Sequence, residues 1–379
     1  MRIGFDGRYS TDHFPGIGRY SAGLARALAE IGGHTLVLIL DPRAPAGRYD
    51  LRAVAALPGV ELAHLAAGPF SARQHVALPA LARSLRLDLL HSPYFVKPYL
   101  GLPCPSVVTI YDLIGRRFPG TLSARGRLLY RAAMALAARR SAVILTISES
   151  ARGDIERLYP AARGKVTVTP LAAGEAFRPQ PAAAVAEVRR RYGLPERYVL
   201  YLGSNKPHKN LERLALAWAQ LSATGQDGGA ALLVAGHEDA RHGPLRECLA
   251  GLAPGAPVAL APDVADADLP ALYSGAEVFA FPSTYEGFGL PPLEAMACGA
   301  PVLASNVSSL PEVVGDAALA VDPLSVEAIA AGLARLLGDG GLRRELAERG
   351  LRRAATFSWR RTALGTLGAY ERAAGALKG

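Results

Sequence analysis

Short apolar runs alternate with longer amphipathic stretches along almost the whole chain, a pattern that predicts parallel strands covered on both faces by helices. In the first half the runs predict strands at Arg2–Phe5, Thr35–Leu40, Val60–Ala63, Leu87–His91, Ser106–Ile110, Val143–Thr146 and Val166–Val168. In the second half they fall at Tyr198–Leu202, Ala230–Ala235, Val258–Leu260, Val278–Ala280, Pro301–Ala304 and Ala318–Ala320. The series restarts after a stretch of mixed composition, Pro170–Pro181, which reads as a linker. An α/β fold is therefore expected, with two doubly wound domains in tandem over residues 1–172 and 173–356. Ligands of such sheets lie beyond the carboxyl ends of the strands, so a cleft between the domains is expected to hold one. Two helical patterns follow Asp339, at Leu342–Arg353 and Phe357–Leu377. No strand follows the second, which either packs back on the first domain, so that 357–379 counts with it, or stays as a terminal helix on its own domain.

Within this frame the segment Tyr285–Ala304, YEGFGLPPLEAMACGAPVLA, carries the densest chemistry. Glu286 precedes the turn Gly287-Phe288-Gly289, and Glu294 is expected in the first turn of a helix opened by Pro291 and Pro292. Proline is tolerated there because the first helical N–H groups have no partner within the helix. Such N–H groups and the positive end of the helix dipole suit a phosphate. Gly299 ends the helix before the next buried strand. A loop that holds a diphosphate, with a carboxylate on each side for hydroxyl groups, matches the shape of a nucleotide sugar. For Glu294, plain stabilisation of the helix dipole is a compatible reading.

Composition narrows the class. A chain of 379 residues exceeds one comfortable core, and 50% hydrophobic with 20% charged residues is the balance of a globular protein. Cys104, Cys248 and Cys298 are far apart and odd in number, which favours neither a disulfide framework nor a zinc site and points to a reducing cytoplasm. The start MRIGFDGRYS runs straight into a strand pattern, so no signal peptide is expected. No uncharged apolar run approaches the roughly 18 to 20 residues that span a bilayer, so any membrane contact is expected to be peripheral. A net charge of +9 and a pI near 9.6 raise the question of nucleic acid. The chain has no aromatic-interleaved basic strand, zinc-finger spacing or basic arm, so the charge is read as a welcome for nucleotide diphosphates or anionic lipid headgroups.

Three segments together, LYLGSNKPHKNL (Leu200–Leu211), the run Asp266–Ser305 and GIGRY (Gly16–Tyr20), resemble the retaining glycosyltransferase family 4 pattern. The resemblance implies a GT-B fold of two Rossmann-like domains, with the nucleotide sugar held mainly by the second. It implies transfer of a hexose from a UDP- or GDP-sugar to a glycan, lipid-linked or small-molecule hydroxyl acceptor, with no metal or other cofactor. A non-catalytic nucleotide-sugar-binding protein of the same fold is the alternative. By the same resemblance Glu286 lies at the sugar, Glu294 accepts hydrogen bonds from the ribose, and Lys209 neutralises the leaving diphosphate. Gly203, Lys206 and His208 stand on the donor side of that loop, and Gly287, Phe288, Gly289 and Leu290 line it opposite. The family often has arginine where this chain has His208, so the second cation is His208, when protonated, or Lys206 in its place.

In the first domain, Gly16 and Gly18 are expected in the loop between the first strand and first helix, where a missing Cβ lets backbone approach a ligand. The dinucleotide fingerprint fails at Ser21, which speaks against NAD. Arg19 adds charge there or is a solvated helix arginine. Tyr111-Asp112-Leu113 stands where the family commonly has His-Asp-Leu, its histidine near the sugar; by that resemblance Tyr111 and Asp112 are catalytic candidates, the tyrosine as a hydroxyl donor and acceptor and no easy proton shuttle. Asp112 fixes the loop, takes the acceptor hydroxyl or attacks carbon, and His91 is a similar candidate or a structural residue. Ser148 is expected to cap a helix. Val264, in the loop Ala261–Val264, is expected near the nucleobase, with Pro262 replacing a frequent glycine. Finally, Ser123–Arg140 predicts a basic amphipathic helix over a buried Leu/Ala/Met stripe, suited to an anionic membrane or to solvent.

Overall fold

A computed structural model describes residues 1–375 except 12–13, 46, 122, 240–243 and 262–263. The chain divides into two compact units, Met1–Leu171 with Ser358–Gly379, and Ala172–Phe357. The first contains strands β1 (Arg2–Asp6), β2 (Thr35–Leu40), β3 (Val60–His64), β4 (Leu89–Ser92), β5 (Ser106–Thr109), β6 (Val143–Thr146) and β7 (Val166–Val168). The second contains β8 (Tyr198–Leu202), β9 (Ala231–Ala235), β10 (Val258–Ala261), β11 (Val278–Phe281), β12 (Val302–Ser305) and β13 (Ala318–Val321). Each predicted strand is present, because runs such as TLVLIL are buried on both faces and need no alternation.

The first sheet has the order β3-β2-β1-β4-β5-β6-β7 and the second β10-β9-β8-β11-β12-β13, with every pairing parallel. The winding reverses between β1 and β4 in one sheet and between β8 and β11 in the other. Such a reversal opens a crevice at the carboxyl ends of the two strands beside it. In the second unit those ends carry the Lys209 loop and the Glu286 loop. The core beneath is close-packed, with Leu214, Trp218, Val278 and Leu333 fully buried.

Strand β4 starts two residues later than the sequence predicts. Leu87 N–H instead donates to Ala82 O, and Arg86 takes a left-handed φ of 51°, so Leu87 closes the end of the preceding helix Gln74–Ser84. The C-terminal helix Trp359–Gly375 belongs to the first unit. There Gly23 of the helix Pro15–Ile31 lies against the Trp359 ring so closely that a Cβ would come within 2.4 Å of it. Thr362 Oγ1 also donates to Pro170 O at 2.6 Å. The basic helix runs over Ala124–Arg140, capped by Ser123 Oγ, which accepts from Gly126 N–H. Its expected buried stripe needs correction: Met134, Ala137 and Ala138 are buried, whereas Leu128, Leu129 and Leu136 are exposed.

Candidate active site

Beyond β8 the backbone is held in place before any side chain is considered. Gly203 N–H donates to Ala235 O, and a Cβ on Gly236, whose φ is +113°, would stand 2.5 Å from Gly203 O. Asn205 and Asp239 bridge the same two segments, Asp239 N–H donating to Asn205 Oδ1 at 2.8 Å. A 3-10 turn, Pro207–Lys209, then leads into Asn210, which takes a left-handed φ of 60° that asparagine tolerates. Buried Asn210 donates through Nδ2 to Pro282 O at 2.8 Å and Pro323 O at 2.7 Å, tying the loop to the ends of β11 and β13. Thr284 N–H donates to His208 O at 2.8 Å from the other side.

These ties place Lys209 Nζ 2.8 Å and 3.0 Å from the two carboxylate oxygens of Glu286, and 5.0 Å above the centre of the Phe281 ring. Glu286 is only 8% exposed. A carboxylate removed from water that far costs several kcal/mol unless paired, and Lys209 is the partner. The Glu286 backbone is held too. Its N–H donates to Ser308 Oγ at 3.1 Å, Ser308 Oγ donates to Glu286 O at 2.8 Å, and Ser309 Oγ lies 2.7 Å from Phe288 O. Ser308 takes a left-handed φ of 62°, a strained conformation of the kind that clusters at functional sites.

The helix that follows spans Leu290–Ala297, with Gly289 at its N-cap. Gly289 has a φ of +112°, and a Cβ there would meet Leu310 Cδ2 at 2.6 Å. Two expectations are corrected at this point. Glu294 is the fifth helical residue and stands in the second turn. Moreover, Pro291 and Pro292 carry no N–H, so the donors at the helix start come from Gly289 and Leu290. Glu294 is 1% exposed and accepts a hydrogen bond from the Tyr273 hydroxyl at 3.2 Å. Burial, and next the Glu294 carboxylate, push the Cys298 thiol up to about 12. A carboxylate so deeply buried in the second turn does more than complement a helix dipole, whose influence fades within the first turn.

The remaining donor-side residues differ in what they offer. Phe288 is buried and meets Phe357 edge-on at 5.9 Å, so its ring belongs to the core and its backbone alone bounds the loop. Gly287 and Leu290 complete that boundary. His208 is buried, and Lys206 is partly exposed beside it. Gly203 has an ordinary φ, and a Cβ there would meet the Tyr201 hydroxyl at 3.1 Å. Val264 follows β10 and is partly buried, whereas Pro262 lies outside the described residues.

In the first unit several expectations change. Gly16 and Gly18 do not lie in a loop: Pro15 starts the helix Pro15–Ile31, and Gly18 N–H already bonds Phe14 O. A Cβ on Gly18 would sit 2.6 Å from the Tyr49 ring, so the space is filled by that ring, while Gly16 is open. Arg19 Nε donates to the Tyr49 hydroxyl at 3.2 Å. The Tyr111 hydroxyl is buried without a hydrogen-bond partner, and the ring packs edge-on against Tyr20. Burial holds this phenol well above its ordinary pKa, so it stays protonated and cannot act as a base. Asp112 Oδ1 accepts from Ile114 N–H at 2.9 Å, which fixes the loop. His91 is a structural residue. It is fully buried, with Nε2 2.8 Å from Thr109 Oγ1 and Nδ1 2.5 Å from the Tyr370 hydroxyl, and burial lowers its pKa to about 3. Ser148 Oγ caps its helix by accepting from Ala151 N–H.

Sequence reasoning missed Asn210, Gly236, Tyr273, Ser308 and Ser309. Asn210 alone left a signal, an asparagine between a lysine and a leucine-rich helix; the two serines read only as loop. Among the described residues no three His, Cys, Asp or Glu side chains gather as a metal set, and no helix is long and apolar enough to cross a membrane.

Comparison with known proteins bears on this arrangement. A family model described as "Glycosyltransferase Family 4" matches residues 15–172, and one described as "Glycosyl transferases group 1" matches residues 186–353. The chain is 38% identical over 230 residues to an O-antigen chain mannosyltransferase B of Escherichia coli, a match that spans 60% of each protein. It is 31% identical to a D-inositol 3-phosphate glycosyltransferase of Acidothermus cellulolyticus, across 94% of this chain and 85% of that one. In fold it is similar to the Anabaena protein HepE, crystallised with UDP and glucose, with a TM-score of 0.77 at 19% identity over 97% of this chain and 98% of the other. With both halves matched by their own family models and a relative aligned along nearly its full length, the chain belongs to the family 4 glycosyltransferases, built on the GT-B fold.

Proposed function

We propose that this protein is a retaining glycosyltransferase that moves a hexose from a nucleoside diphosphate sugar to a hydroxyl acceptor. The observation that carries the reading is the Lys209–Glu286 pair, set beside the Gly289–Leu290 helix start where the winding of the second sheet reverses. A diphosphate entering there competes for the Lys209 ammonium. Glu286, released from its partner, then accepts hydrogen bonds from the sugar. Glu294 takes the ribose hydroxyls. As the bond between the sugar and the diphosphate breaks, negative charge grows on the leaving phosphate, and Lys209 stabilises it. The acceptor oxygen forms its bond on the same face of the sugar, and its proton passes to the leaving phosphate oxygen, so no protein nucleophile or base is required. Lys209 and the helix-start N–H groups supply the positive charge, and the reaction runs without a metal ion. The names of the matched relatives, a mannosyltransferase and an inositol-phosphate glycosyltransferase, favour a hexose donor and an acceptor that is a glycan or a small polyol.

The test is a thermal-shift screen of the purified chain against UDP- and GDP-hexoses, paired with an assay for nucleoside diphosphate release in the presence of glycan and lipid extracts. Stabilisation by at least one donor together with release is the expected result. Stabilisation without release under every acceptor condition identifies a non-catalytic nucleotide-sugar-binding protein instead.

A further inference from the structure

The helix Ala124–Arg140 turns an unusual face outward. Its inner side is buried, with Met134, Ala137 and Ala138 in one core cluster with Val108, Ile144 and Ile155. On the opposite side Leu128 is 69% exposed, Leu129 59% and Leu136 45%. Scattered exposed leucines are ordinary on a soluble surface, but these three share one face of a single helix, interleaved with exposed Arg125, Arg139 and Arg140. Beside them, a groove of about 320 Å³ is lined by Arg116, Arg127 and Arg131 together with Leu128 and Pro119. From residue 113 to residue 148 the chain has seven arginines and no aspartate or glutamate. Among the described residues no ion pair neutralises Arg116, Arg125, Arg131, Arg139 or Arg140.

We propose that this face is a docking surface for an anionic lipid bilayer. The helix lies flat, with Leu128, Leu129 and Leu136 entering the boundary between headgroups and acyl chains, and the groove arginines hold lipid phosphates. A guanidinium suits that task because its planar fork bonds phosphate oxygens in pairs. Exposed leucines flanked by arginines are the signature of a helix that rests in the interface, and cationic side chains near an anionic leaflet strengthen binding cumulatively. A second copy of the chain is a poor occupant, since the isologous contact would set arginine against arginine. Nucleic acid would satisfy the arginines but would leave the leucines in water.

The experiment uses the full chain and vesicle flotation, with vesicles of phosphatidylcholine alone or with about one third phosphatidylglycerol. The protein is expected to float with the anionic vesicles and not with the neutral ones. Leu128→Ser with Leu129→Ser should weaken partitioning about tenfold, and Arg116→Gln with Arg131→Gln about thirtyfold. All four positions are exposed, so circular dichroism and thermal unfolding should be unchanged. A control removing the same charge elsewhere, Arg344→Gln with Arg352→Gln, should float like the parent. The proposal is overturned if the parent ignores anionic vesicles, if the leucine variant floats as well as the parent, or if the control loses as much as the groove variant. The first outcome leaves the leucines to another partner; the other two reduce the effect to net charge.

Discussion

Lys209 and Glu286 hold each other at 2.8 Å, and the proposed reaction has a diphosphate take the place of the carboxylate at the ammonium. In the proposed reaction Lys209 and Glu294 have separate roles. Lys209→Ala should lower kcat by about 100- to 1,000-fold, the scale found when one donor to a developing oxyanion is removed, with a smaller change in donor KM. Steady-state rates of diphosphate release measure both. The ribose contact proposed for Glu294 is made before the chemistry. Glu294→Gln preserves its shape and its partner Tyr273 but removes the charge, and should raise the donor Kd about ten- to a hundredfold, read by calorimetry. Unchanged donor affinity would detach Glu294 from the ribose. Tyr111 does not serve as a base, because burial holds its phenol well above the ordinary pKa.

At the scale of elements, the two loops depend on conformations that few residues adopt. Gly289 combines a φ of +112° with contact against Leu310, so Gly289→Ala should lower stability by about 1–3 kcal/mol and blunt donor binding, seen as a reduced Tm and a weaker thermal shift. In the first unit the chain of Tyr20, Thr109, His91 and Tyr370 fastens the C-terminal helix to β4 and β5. His91 is neutral there with a pKa near 3, whereas the unfolded chain protonates it near 6.5. Its contribution is therefore intact above the unfolded value and is lost as pH falls through the window from about 6.5 towards 3, because the unfolded state binds the extra proton. Between pH 7 and pH 5 this predicts a loss of about 2 kcal/mol in denaturant unfolding that His91→Gln abolishes. A variant with the same slope as the parent would remove His91 as the cause.

Across the whole molecule, the strands were legible because parallel sheets buried on both faces need continuous apolar runs, and each such run in this chain became a strand. The Lys209–Glu286 partnership was legible as two site residues on separate loops, but not as a contact, since sheet order, and not sequence distance, brings the ends of β8 and β11 together. Helix starts were harder to place. Gly16 and Gly18 read as a loop because glycine usually punctuates, yet Pro15 begins a helix through them and Tyr49 fills the space beside Gly18. Glu294 read as a first-turn residue because Pro291 and Pro292 suggested that the helix opened with them, whereas Leu290 does. Ser308 and Ser309 left no trace in the pattern, since their role depends on backbone partners that only the fold supplies. The central claim, that the donor sugar is transferred on one face by a site whose cation is Lys209, is tested most directly by the anomeric configuration of the product. With the donor that releases its diphosphate, in EDTA, proton NMR of the new glycosidic bond should show the configuration of the donor, at an undiminished rate. An inverted anomer, or transfer that stops when the chelator is added, would contradict the account.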